Sequence, residues 1–133
     1  MQTTINIKSE LKIAIDFVKS FEGLITHDSI SEINFKEKGI VYIIYVTDKN
    51  NVTSIKYIGK SKGVYFKTRI RNHFIKKNKK TGAKLELIKN EFKKGNNVRL
   101  KYIETQPESY RNMLEEELIN HFFPIWNIQK RKN

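Results

Sequence analysis

Seven consecutive residues, Ile40-Val41-Tyr42-Ile43-Ile44-Tyr45-Val46, are all aliphatic or aromatic, and five of the seven are β-branched. Side chains this stiff at χ1 pack poorly on a helix and well on a pleated strand. With no polar residue alternating between them, they require a sheet buried on at least one face. The next four residues, Asp48-Lys49-Asn50-Asn51, carry turn-forming side chains. A second strand, about Val52 to Ile58, is therefore expected to return antiparallel to the first and to end at Gly59. The rest of the chain must cover this ribbon.

The covering elements are read from spacing. Leu11, Ala14, Ile15, Val18 and Phe21 fall close to helical periodicity between Ser9 and Gly23. Ile30, Ile33 and Phe35 alternate weakly ahead of the strong strand. Tyr65 to Lys77 predicts a helix with Phe66, Ile70 and Phe74 on one stripe. Ala83 to Lys94 predicts another with Leu85, Ile88 and Phe92, closed by Gly95. Val98, Leu100 and Tyr102 alternate as a third strand. Thr105-Gln106-Pro107-Glu108 has the form of a capping box, so a last helix is expected from there to about Phe122, stopped by Pro124. The order strand, strand, helix, helix, strand, helix gives an α+β sandwich with helices against a small sheet. At 133 residues the chain suits a single core.

Charge narrows the function. Twenty-six Lys and Arg against 14 Asp and Glu give a net charge of +12, the footprint of a nucleic-acid binder. The absence of cysteine excludes thiolate metal sites, disulfides and a cysteine nucleophile, and fits a reducing cytosol. Any catalytic metal must then sit on oxygen or imidazole. No apolar run approaches the roughly 20 residues needed to span a bilayer, and Met1 to Ser9 lacks the apolar core of a signal peptide. A soluble protein with no membrane partner is expected.

Two sets of polar residues sit oddly in this scheme. On the last helix Tyr110, Leu114, Leu118 and Phe122 form the apolar face, and Glu115 falls at its edge while Glu116 and Glu117 do not. Glu115 is either a metal ligand or the partner of Arg111 in an i, i+4 pair. Arg69, His73 and Lys76 share one flank of their helix, either as a functional cationic ridge or as a solvated basic face.

Tyr42, the tripeptide Tyr57-Ile58-Gly59, Lys60-Ser61, Arg69-x-x-x-His73, Glu115 and Pro124-x-x-Asn127 occur in that order, and together they resemble the GIY-YIG nuclease family. The first motif departs from the family pattern, with Ile40 where its Gly would stand and Gly39 one residue early. The likeness covers about residues 39 to 133. It implies a small three-stranded antiparallel sheet sandwiched by helices (the GIY-YIG fold). Residues 1–38 would be an accessory N-terminal helical extension, 39–128 the nuclease domain and 129–133 a basic tail.

The resemblance also implies a chemistry. The chain would be a metal-dependent DNA endonuclease hydrolysing phosphodiester bonds in double-stranded DNA, of phage or restriction type, in the cytoplasm of a bacterial or phage-infected cell. Glu115 would bind Mg²⁺ or Mn²⁺. Arg69 would donate to the non-bridging phosphate oxygens. Tyr42 would be the general base assisted by Tyr57, its phenolate favoured by Arg69, His73 and Lys84, with Asn127 completing the set. Gly59 would let the backbone approach a phosphate, and Ser61, Lys60, Lys62, Lys67, Arg71, Lys76, Lys77, Lys79 and Lys80 would track the DNA backbone. A homo-oligomer, dimer or tetramer, is expected because one small domain carries one site. Two alternatives stand beside this reading. One is a catalytically inert DNA-binding module. The other is an RNA-binding protein or ribonuclease with Tyr45 or Tyr102 as base-stacking aromatics.

Overall fold

A computed structural model describes residues 2–75 and 84–127. The elements run α1 (Lys8–Lys19), a short 3-10 helix (His27–Ile30), β1 (Gly39–Thr47), β2 (Thr53–Lys62), α2 (Gly63–Phe74), α3 (Leu85–Lys93), β3 (Asn97–Thr105) and α4 (Tyr110–Phe122). Lys76, Lys77, Lys79, Lys80 and the basic tail 129–133 lie outside the described residues. Among the described residues no helix is long and apolar enough to cross a membrane.

The three strands form one antiparallel sheet in the order β2-β1-β3. The apolar run is the central strand, and it needs two cores because its side chains alternate between faces. Ile40, Tyr42, Ile44 and Val46 pack with Phe66, Ile70, Phe74, Ile88 and Trp126 on one side. Val41, Ile43 and Tyr45 pack with Ala14, Val18, Leu114, Leu118 and Ile119 on the other. The result is an α+β sandwich with α2 and α3 covering one face and α1 and α4 the other.

Residues ahead of the sheet take part in both cores. Ile30 and Phe35 join the first, reached through a 3-10 turn, not the strand that their alternation hinted at. The Tyr45 hydroxyl donates to the Val18 carbonyl at 2.7 Å. Lys101 projects from β3 and donates Nζ to the Phe17 and Ser20 carbonyls at 2.7 and 2.6 Å. A buried ammonium thus satisfies carbonyls at the C-terminal end of α1, where the helix dipole favours a cation.

Two boundaries differ from the sequence expectation, and both bear on the site. β2 continues through Gly59 to Lys62 and passes directly into α2. Gly63 forms that corner: its N–H donates to the Lys38 carbonyl at 2.7 Å, and a β-carbon there would lie 1.7 Å from the Phe35 carbonyl oxygen. The capping box does not form. Thr105 stays in the sheet opposite Gly39, its hydroxyl bonds the Glu108 carbonyl, and α4 begins only at Tyr110.

Candidate active site

The antiparallel register sets Tyr42 opposite Gly59, with Tyr57 beside it on the same face. α2 brings His73 over both rings, its centroid 5.6 Å from each, and the tyrosine centroids are 6.2 Å apart. His73 is 1% exposed, so it is an inward-facing group and not part of a surface ridge. Its Nε2 is 2.9 Å from the Tyr42 hydroxyl, and its Nδ1 accepts the Lys84 backbone N–H at 2.9 Å.

That last bond settles the tautomer. A nitrogen that accepts an amide N–H carries no proton, so a neutral imidazole must carry its proton on Nε2 and donate it to the Tyr42 oxygen. Two N–H groups would face one another if the ring were doubly protonated. His73 is therefore the donor to Tyr42. The Tyr42 and Tyr57 phenols lie side by side, ring centroids 6.2 Å apart, and their mutual influence favours charge on Tyr57 over Tyr42.

Burial pushes Tyr42 well above the ordinary phenol value, the neighbouring Tyr57 adds to this, Arg69 opposes it and Glu115 raises it further. Tyr57 is also raised, first by burial and then by Glu115, against the lowering effects of Arg69 and the neighbouring Tyr42. The Lys84 ammonium lies 5.4 Å from the Tyr57 ring centroid. Lys84 thus contributes twice, through its amide to His73 and through its side chain to Tyr57.

Glu115 sits on α4 as the helical wheel predicts, with its side chain 20% exposed and 3.8 Å from Lys60 Nζ, while Glu116 and Glu117 are exposed. Arg111 turns to Glu108, donating to its carbonyl at 2.9 Å and pairing with its carboxylate at 3.5 Å. Among the described residues no group of three or more His, Asp or Glu side chains is arranged to hold a metal. A single carboxylate suits Mg²⁺ or Mn²⁺, which keep several waters and use one or two carboxylates with substrate phosphate. The Lys60 pair is partly exposed and worth roughly 0–1 kcal/mol, so a divalent cation can replace it.

Other expected site residues are placed differently. Gly59 is buried in mid-strand with the Tyr42 ring against it; a β-carbon would be 2.5 Å from Tyr42 Cζ and Oη, so the glycine makes room for a tyrosine and not for a phosphate. Asn127 is buried, and its amide accepts from Ile58 N–H at 2.9 Å and donates to Ile58 C=O at 2.8 Å. It closes the free edge of β2 beside Tyr57 and Gly59. Ser61 is buried and donates to the Lys62 carbonyl, at the wall of the cleft that Lys60, Lys62 and Arg69 line.

The expected backbone track also divides. Lys60, Lys62 and Arg69 line one cleft. Lys67 donates to the Ser31 carbonyl and with Arg71 lines a separate depression beside His27 and Asp28. Tyr45 lies wholly in one core and offers no face to a base, while Tyr102 is partly buried against Phe35 and Phe66 of the other. Sequence reasoning passed over Tyr65, Asn72 and Arg111, which share the cleft with Arg69. The signal was there: positions 65, 69 and 72 stand at i, i+4 and i+7 on one helix face.

Compared with known proteins, residues 38–130 match the model of the GIY-YIG catalytic domain. No curated protein and no solved structure matches the chain.

Proposed function

The chain belongs to the GIY-YIG catalytic domain family, a family of nucleases, and from that premise we propose that it is a divalent-metal-dependent DNA endonuclease that hydrolyses phosphodiester bonds. The observation that carries this reading is the hydrogen-bonded pair His73–Tyr42 with the Tyr57 ring packed against both, and with Arg69 and Glu115 near enough to shift both phenols.

In this reading the two phenols form one coupled unit. The neighbouring Tyr42 and the Lys84 ammonium favour charge on Tyr57, which reverses the roles expected from sequence. Tyr57 as phenolate takes a proton from the attacking water, while Tyr42, held by His73, steadies the charge with its O–H. The water oxygen bonds to phosphorus as the bond to the 3′ oxygen breaks. Arg69 donates to the non-bridging oxygens, where negative charge accumulates. Mg²⁺ or Mn²⁺ held by Glu115 would polarise the phosphate and screen the leaving oxygen.

The segments Lys84 to Gly95 and Trp126 to Gln129 resemble T-even phage endonuclease II, with Ile128 and Gln129 outside the described residues. On that resemblance we assign the protein to a phage or restriction role in a bacterial cytoplasm, acting on double-stranded DNA as a homo-oligomer.

Supercoiled plasmid incubated with the protein and Mg²⁺ should become nicked and then linear or fragmented, and EDTA should stop it. Glu115→Ala should lower cleavage at least 100-fold with DNA binding kept or tightened, and Glu116→Ala should change neither by more than about twofold. Unaltered plasmid across a range of Mg²⁺ and Mn²⁺ would favour the inert binding module. Cleavage of RNA but not DNA would favour the ribonuclease.

A further inference from the structure

Beside the tyrosine site lies a cleft of about 440 Å³ between the end of β2, α2 and α4, within the ~300–1,000 Å³ typical of small-ligand pockets. Its cations are Lys60, Lys62, Arg69 and Arg111, with the Asn72 amide among them. One aromatic, Tyr65, completes the lining and is 62% exposed. A tyrosine so exposed contributes little to the core, and α2 already has Phe66, Ile70 and Phe74 for that purpose.

We propose that this cleft is a nucleotide subsite that takes an unpaired base next to the cut phosphodiester, with Tyr65 stacking on the base and Arg111 and Lys60 holding the phosphate beside it. The assignment rests on the nuclease reading for the position of the cut. Three features lead to it. Arg69 belongs both to this cleft and to the tyrosine site, so a strand bound at one continues into the other. The guanidinium of Arg111 has five N–H donors, and its contacts with Glu108 run through Nη1, which leaves donors on its other nitrogens for a phosphate. An aromatic ring lining a cleft on one helix can meet the face of a base only if that base has left its own stack, and base–aromatic stacking tolerates any base. The substrate class is then DNA that already carries an unpaired nucleotide at the cleavage point.

Binding of a single-stranded DNA oligonucleotide carrying 2-aminopurine, and of the same strand in a full duplex, tests this in EDTA, where cleavage plays no part. Wild-type protein should quench the 2-aminopurine in the single strand. Tyr65→Ala should bind that strand roughly tenfold more weakly and lose the quenching, with an unchanged melting temperature and duplex affinity within about twofold. Tyr65→Phe should behave as wild type. Equal affinities for wild type and Tyr65→Ala, or an equal loss on the duplex, would overturn the subsite. The plasmid assay separates the two readings. Uncut plasmid with the Tyr65 effect intact removes the nuclease and keeps the subsite, and cut plasmid with a silent Tyr65 does the reverse.

Discussion

A β-carbon at position 59 would lie 2.5 Å from both Cζ and Oη of Tyr42, far inside van der Waals contact, and Tyr42 is itself fixed between Tyr57 and His73. Gly59→Ala should therefore push the Tyr42 ring aside and break its bond to His73. Overpacking of this kind costs about 1–3 kcal/mol, but the loss of cleavage should be larger in proportion, at least tenfold in kcat in protein that is still fully folded. Wild-type turnover in Gly59→Ala would mean that the Tyr42–His73 contact is not needed. Much of this site can be read from one dimension: Tyr57-Ile58-Gly59, Arg69-x-x-x-His73 and Glu115 are local patterns, and helical periodicity alone puts Glu115 at the edge of the core. What the glycine does cannot be read that way. Its neighbour is Tyr42, seventeen positions earlier, and only the strand register brings the two together. The same holds for His73, whose helical stripe places it beside the apolar face but does not reveal that a backbone N–H from Lys84 fixes its proton.

The strands and helices follow from hydrophobic period, but their ends depend on partners that sequence spacing does not show. Thr105 has the local form of a helix cap, yet its pairing with Gly39 keeps it in the ladder, because a bonded strand end outweighs an isolated cap. β2 outruns its expected end because β1 offers partners as far as Gly39. On its other side β2 has an open edge, and Asn127 supplies the missing donor and acceptor at Ile58. Removing it leaves two buried backbone groups without partners, each costing about 1–3 kcal/mol. Asn127→Ala should therefore lower the melting temperature and speed hydrogen exchange at the Ile58 amide, with activity falling as a consequence. Full stability and slow exchange combined with lost cleavage would instead place Asn127 in the chemistry, as its sequence context suggests.

At the scale of the whole molecule, one sheet divides two cores, and each holds tyrosine hydroxyls that folding has taken out of water. Tyr42 and Tyr57 lie in one and Tyr45 in the other. Burial raises all three phenols above their ordinary value of 10.0. A group whose folded value is raised keeps its proton in the native state after the unfolded chain has lost it, so its contribution is complete below pH 10 and is lost as pH climbs beyond. Lys101 runs the other way: burial lowers it from 10.5, so its share of stability increases as pH rises toward that value. Burial raises Tyr110 as well, so four groups oppose one, and general alkaline effects, including neutralisation of the +12 charge, act on every variant alike. Tyr45→Phe isolates the contribution of one phenol. It loses the hydrogen bond to the Val18 carbonyl and should be less stable than wild type by about 0.5–1.5 kcal/mol at pH 8. Above pH 10 the wild-type protein pays for keeping Tyr45 protonated and the variant does not, so the gap in urea midpoints should narrow with each further rise in pH. A gap that stays constant from pH 8 to 11 would mean that Tyr45 titrates alike in the folded and unfolded chains, and the buried hydroxyl would then contribute only its hydrogen bond.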